Sequence, residues 1–116
     1  MDAQQLIAKL QAQREGWATL PDGKRLKFRR PPEVELGKLI GGVRLEHVIE
    51  CAVGWEGFTE ADLLGAGVGG SDPVSFDRDL WAAVVSDRAH YLEPAAAAIA
   101  EAVSAYLANR AATAKN

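Results

Sequence analysis

The stretch from Trp17 to Pro32 constrains this chain more than any other. Trp17-Ala18-Thr19-Leu20 and Arg25-Leu26-Lys27-Phe28-Arg29-Arg30 flank Pro21-Asp22-Gly23-Lys24, and Pro31-Pro32 follows. Asp-Gly takes positive φ angles at little cost, which a tight hairpin requires. The paired prolines supply no N–H and stop the second strand. A β-hairpin over about residues 17–30 is therefore predicted. With Asp22-Gly23 as a two-residue turn, Thr19 faces Leu26 and Trp17 faces Phe28. Trp17, Leu26 and Phe28 then share one face, with Arg25 and Lys27 on the other. The competing register, a type I turn with a glycine bulge, suits Pro21 but separates Trp17 from Phe28; the first is the expectation. A lone hairpin is marginally stable, so it must lie on helices or add strands from neighbouring subunits.

Helical periodicity dominates elsewhere. Residues 3–14 carry a narrow stripe of Leu6, Ile7 and Leu10, and residues 1–15 form an N-terminal helix with a loose attachment. Pro32, Glu33 and Glu35 open a short helix expected to bury Val34, Leu36, Leu39 and Ile40, closed by Gly41-Gly42. Val43, Leu45, Val48, Ile49, Ala52 and Val53 predict a further helix that ends at Gly54. Thr59 and Asp62 match a capping box at the start of a short helix. Residues 65–73 read as a flexible glycine-rich loop. From Asp77, a stripe of Leu80, Trp81, Val84, Val85, Tyr91 and Leu92 is interrupted near Asp87-Arg88. Pro94 is expected to kink or restart that helix. An alanine-rich helix with Ile99, Val103, Tyr106 and Leu107 on one face follows, and residues 111–116 read as a frayed tail. The expected fold is a single α+β domain over 1–116, mostly α-helical: an N-terminal helix, one hairpin, then four to five helices packed on it.

A chain of 116 residues suffices for one core. Its single cysteine, Cys51, excludes an internal disulfide and suits a reducing cytosol. No apolar run approaches the roughly 18 residues of a membrane span, and Met1-Asp2-Ala3-Gln4-Gln5 lacks the basic and apolar regions of a signal peptide. A cytoplasmic protein with no membrane partner is expected. Charge is split: residues 1–45 carry nine Lys/Arg against five Asp/Glu, and residues 46–116 carry four against eleven. That asymmetry fits either self-association into a homo-oligomer or attraction between the two parts of one molecule.

Chemistry-bearing motifs are sparse. His47 and Cys51 stand four apart on one helix, a spacing that places two metal ligands side by side. Zinc takes at least three protein ligands and His90 is isolated, so the pair reads as core. Gly65 to Gly70 neither follows a predicted strand nor precedes a Lys-Ser/Thr pair, so it is no phosphate loop. No enzymatic activity, cofactor or metal is expected. Lys24, Arg25, Lys27, Arg29 and Arg30 cluster on the hairpin and, with Trp17 and Phe28, outline a surface of the kind nucleic acids use. The net charge of −3 and the aromatics' expected placement on the opposite face favour a protein-facing or solvated patch. Trp55 and Phe58 flank Gly57, and either plug the core or present an aromatic anchor to a partner. The candidate partner-binding residues are Trp17, Arg25, Lys27, Phe28, Arg29, Trp55 and Phe58.

Three features carry a family resemblance: the Trp17 to Pro31 hairpin, the Gly54-Trp55-Glu56-Gly57-Phe58 turn, and Pro73-Val74-Ser75-Phe76-Asp77 opening an acidic helix before a helical C-terminal part. Over roughly Trp17 to Leu107 the layout resembles the small tail assembly chaperones of long-tailed bacteriophages and their prophage relatives. It departs from them in a glycine-rich loop where a charged turn is expected. The resemblance implies a non-enzymatic protein of the bacterial host cytoplasm, absent from the mature virion, that coats the tape measure protein and helps recruit tail tube subunits. It also implies a longer form made by frameshifting, for which Ala114-Lys115-Asn116 allows a slippery codon run. The alternatives are a head–tail or tail component retained in the particle, and a small nucleic-acid-binding regulator using the basic hairpin.

Overall fold

A computed structural model describes residues 1–114. The elements are α1 (Ala3–Ala12), β1 (Glu15–Thr19), β2 (Arg25–Arg29), a 3₁₀ helix (Glu33–Leu39), α2 (Leu45–Cys51), β3 (Ala52–Glu56), α3 (Glu60–Leu64), α4 (Arg78–Ser86) and α5 (Ala89–Ala114). The fold is mixed α+β and mostly helical, as its composition and periodicity predict. The strands form one antiparallel sheet in the order β1-β2-β3. Beneath it, α5 packs on β1 and α4 on β3, while α2 packs on both helices.

The hairpin forms, but in another register from the expected one. Ala18 pairs with Leu26, Trp17 with Lys27 and Gly16 with Phe28. Asp22 and Gly23 do take positive φ angles, 63° and 74°, and the Lys24 N–H donates to the Pro21 carbonyl. Pro21 has no N–H to return, so the strand pairing resumes from Leu20, whose N–H donates to the Lys24 carbonyl over 2.9 Å. One extra residue in the loop shifts the ladder by one place and turns Trp17 away from Phe28. Ala18, Leu26 and Phe28 then face the core together. Gly16 leaves room beneath the Phe28 ring, since a Cβ there would lie 2.9 Å from Cζ.

The sheet also has a third strand where the periodicity predicts the end of a helix. Ala52–Glu56 pairs with β2, with Arg25 opposite Glu56 and Leu26 opposite Trp55. Lys27 opposes Gly54 and Phe28 opposes Ala52, so Val53 is the extra residue of a bulge. The apolar spacing through Val53 fits a helix locally, but pairing with β2 satisfies the backbone of 52–56 instead.

Two further expectations change. Pro32, Glu33 and Glu35 open a helical turn of 3₁₀ type. Three residues per turn put Val34, Gly37 and Ile40 on one side, and Val34 and Ile40 are 92% and 80% exposed instead of buried. The long C-terminal helix does not restart at Pro94, which lies inside α5. The break comes earlier, at Asp87 and Arg88, whose N–H groups donate to the Val84 and Val85 carbonyls. Pro94 follows closely on the start of α5, where its missing N–H leaves only the carbonyl of exposed His90 without a helical donor. The helix continues through Ala114, into the stretch expected to fray; Lys115 and Asn116 lie outside the described residues.

The core is aromatic at its centre. Trp55 stacks on Phe58 with ring centroids 4.2 Å apart, and Phe76 and Trp81 meet the Trp55 ring edge-on. Both indoles find acceptors: Trp55 Nε1 donates to the Val74 carbonyl at 2.7 Å and Trp81 Nε1 to that of Val48 at 3.3 Å. Thr59 and Asp62 form the predicted capping box. The glycine-rich loop is tied at both ends, the Ala61 N–H donating to the Gly70 carbonyl and the Val74 N–H to that of Phe58.

Candidate protein-interaction surface

The pleat sorts the hairpin residues. With Ala18, Leu26 and Phe28 inward, the outer face presents Glu15, Trp17, Arg25, Lys27 and Arg29. Four of the seven candidate residues, Trp17, Arg25, Lys27 and Arg29, thus stand together on one exposed face. Trp17 is 39% exposed, with the Arg25 guanidinium 4.1 Å from its ring centroid and the Lys27 ammonium 5.8 Å away.

The other three candidates are core. Phe28, Trp55 and Phe58 are all buried, which answers the choice between plug and anchor for the Gly54–Phe58 turn in favour of the plug. Gly57 makes that turn with φ 90°, and a Cβ there would lie 2.7 Å from the Gly23 carbonyl oxygen. The turn after β3 therefore seats directly on the hairpin turn.

The basic run is neutralised on the sheet. Arg25 pairs with Glu56 at 2.9 Å, Arg29 with Glu15 at 2.8 Å and Lys27 with Glu15 at 3.4 Å. The hydrogen bond from Arg29, with help from Lys27, holds the Glu15 carboxyl below its ordinary value. The remaining two basic residues turn away from this face. Lys24 is buried and paired with Asp62 at 3.1 Å, and Arg30 lies flat on Tyr106, 3.7 Å from the ring centroid. A phosphate-tracking surface needs cations free to neutralise a backbone; on this face Arg25, Lys27 and Arg29 are paired with carboxylates, Lys24 is paired with Asp62, and Arg30 is buried against Tyr106.

A second exposed feature is α1. Asp2 caps it by accepting from the Gln5 N–H at 2.8 Å, and the Gln5 side chain accepts from the Asp2 N–H. The helix buries none of its residues, and Leu6, Ile7 and Leu10 are 46%, 47% and 59% exposed. An Asp-x-x-Gln box before a Leu/Ile stripe is readable in the sequence. The cross-strand partners Glu15 and Glu56 are not, since they depend on the register and on β3.

The His47 and Cys51 side chains are buried, as their place among apolar neighbours predicts. His47 Nδ1 accepts from the Arg44 N–H at 3.0 Å. Burial, with Glu50 adjacent, pushes the Cys51 thiol up to about 11. No group of three or more His, Cys, Asp or Glu among the described residues is placed to hold a metal ion. No described helix is long and apolar enough to cross a membrane. Compared with protein-family models, curated proteins and solved structures, the chain matches none.

Proposed function

We propose that this protein is a phage tail assembly chaperone. It binds a tape measure protein, helps recruit tail tube subunits, acts without catalysis in the host cytoplasm, and is absent from the finished particle. The observation that supports this reading is α1, a capped helix whose Leu6, Ile7 and Leu10 stripe no part of the domain buries. A tape measure's long amphipathic helices need temporary cover, and a helix that offers its own apolar stripe supplies it by side-by-side packing. The stripe is short, so each contact is weak, and several copies along one partner supply the affinity. Trp17, backed by Arg25 and Lys27, adds an amphipathic sheet face to the same role.

Co-expression with a phage tape measure protein tests the proposal. The expected result is a soluble complex, lost in a Leu6→Asp/Leu10→Asp variant that unfolds at the same denaturant concentration as the parent chain. A tape measure that stays insoluble and unbound in the presence of the parent chain overturns the proposal. Abundant recovery of the protein in mature particles would favour a retained tail component instead.

A further inference from the structure

On the side of the molecule where β2 ends and α2 begins, a cleft of about 210 Å³ opens between the strand end, the 3₁₀ helix, α2 and the start of α4. Arg14, Arg30 and Arg78 line it. Each guanidinium donates to a backbone carbonyl: Arg14 to that of Arg30 at 2.9 Å, Arg30 to that of Pro31 at 2.9 Å, and Arg78 to that of Ala52 at 3.1 Å. Among the described residues, none of the three has a carboxylate within ion-pair distance, whereas Arg25, Lys27 and Arg29 on the outer sheet face all do. Arg30 is moreover 91% buried, its plane fixed by Tyr106. Burying the Arg30 cation with no carboxylate in contact is costly; Arg14 is half-buried and Arg78 exposed, and the carbonyl contacts hold all three side chains in place without cancelling their charge. Three arginines lining one concavity, each anchored on a backbone carbonyl, supply the donors of an oxyanion site.

We propose that this cleft binds an organic carboxylate. Its size is below the roughly 300–1,000 Å³ of pockets that take whole cofactors, which favours a group the size of one acidic side chain over a nucleotide. Leu39 and Val53 supply an apolar wall for a carbon skeleton. Glu35 and Glu50 also line the cleft, and their charges disfavour a dianionic phosphate relative to a monoanionic carboxylate. The inference does not rest on the chaperone reading, since it concerns a different face and a different chemistry.

The test is a titration of the full chain, followed by backbone amide NMR at constant ionic strength, with butyrate, with the peptide acetyl-Ala-Glu-Leu-amide, and with inorganic phosphate. Saturable shifts confined to amides around Arg30, Cys51 and Arg78 are expected with a carboxylate probe. Butyrate binding identifies a free acid as sufficient, and binding of the peptide alone identifies an acidic segment of a polypeptide. Arg78→Gln and, as a second variant, Arg14→Gln should each weaken binding about tenfold or more, while Arg25→Gln on the outer sheet face should not. Absence of saturable shifts with both carboxylates, phosphate binding as tight as theirs, or unchanged affinity in both cleft variants overturns the proposal.

Discussion

The Lys24 ammonium lies 3.1 Å from the Asp62 carboxylate and so joins the hairpin turn to the cap of α3. Asp62 also accepts from the Thr59 N–H and hydroxyl, each at 2.8 Å. One carboxylate therefore closes a helix and neutralises a buried lysine. Asp62→Asn should destabilise the domain by about 2–3 kcal/mol, more than a cap alone, because it leaves the Lys24 charge unmatched. Denaturant unfolding of Asp62→Asn, Lys24→Met and the double variant checks this. Additive losses would mean that the two residues are not coupled.

Gly57 holds the second joint between these turns. Alanine there meets both an unfavourable φ of 90° and the Gly23 carbonyl oxygen at 2.7 Å. Gly57→Ala should cost about 2 kcal/mol or more, well beyond the effect of a tolerated glycine replacement. Gly41→Ala, also at positive φ but with open space around its Cβ, is the control; equal losses at both positions would show that backbone conformation alone is responsible.

Acid should loosen the domain in a defined window. The Glu15 carboxyl is held below its ordinary value chiefly by the Arg29 hydrogen bond, and that of Asp62 chiefly by the Thr59 hydroxyl. A depressed folded-state value means that the stabilisation is present above the unfolded-state value and lost as pH falls through the folded one. Stability should be level from pH 7 to about 5 and decline below about 4. A Glu15→Gln/Asp62→Asn variant should start less stable and decline less; an undiminished decline would assign acid sensitivity to other groups.

Cys51 should be inert in the folded protein. Its thiol is buried and raised to about 11, first by desolvation and then by Glu50, so little thiolate exists at pH 8. Reaction with a disulfide reagent should be slow under native conditions and rapid in denaturant. Prompt stoichiometric labelling of the native protein would contradict this burial.

Local signals in the sequence were reliable where the structure they describe is local. The Thr59–Asp62 box, the break at Asp87-Arg88 and the positive φ at Asp22-Gly23 all depend on residues within a few positions of one another. What failed depends on distant partners. Strand β3 exists because β2 pairs with it, and neither Gly54 nor the spacing through Val53 announces a strand. The shift of Trp17 to the outer face follows from one missing N–H at Pro21, a small local fact with a sheet-wide effect.

The candidate surface was legible in the same uneven way. Trp17, Arg25, Lys27 and Arg29 were found as residue types, but their grouping with Glu15 and Glu56 required the register. Phe28, Trp55 and Phe58 fill the core, and nothing in residue type alone separates an aromatic that fills an interior from one that anchors a partner. The arginine cleft draws on the end of β2, α2 and the first residue of α4, which no spacing in the sequence brings together.

That α1 buries none of its residues frees its sequence from the packing demands placed on the core. With no buried anchor, amide protons in α1 should exchange without waiting for global opening of the domain. Substitutions along Leu6, Ile7 and Leu10 alter what the surface offers while leaving the core untouched. The N-terminal segment can thus drift with a changing partner while the sheet and its aromatic centre stay fixed.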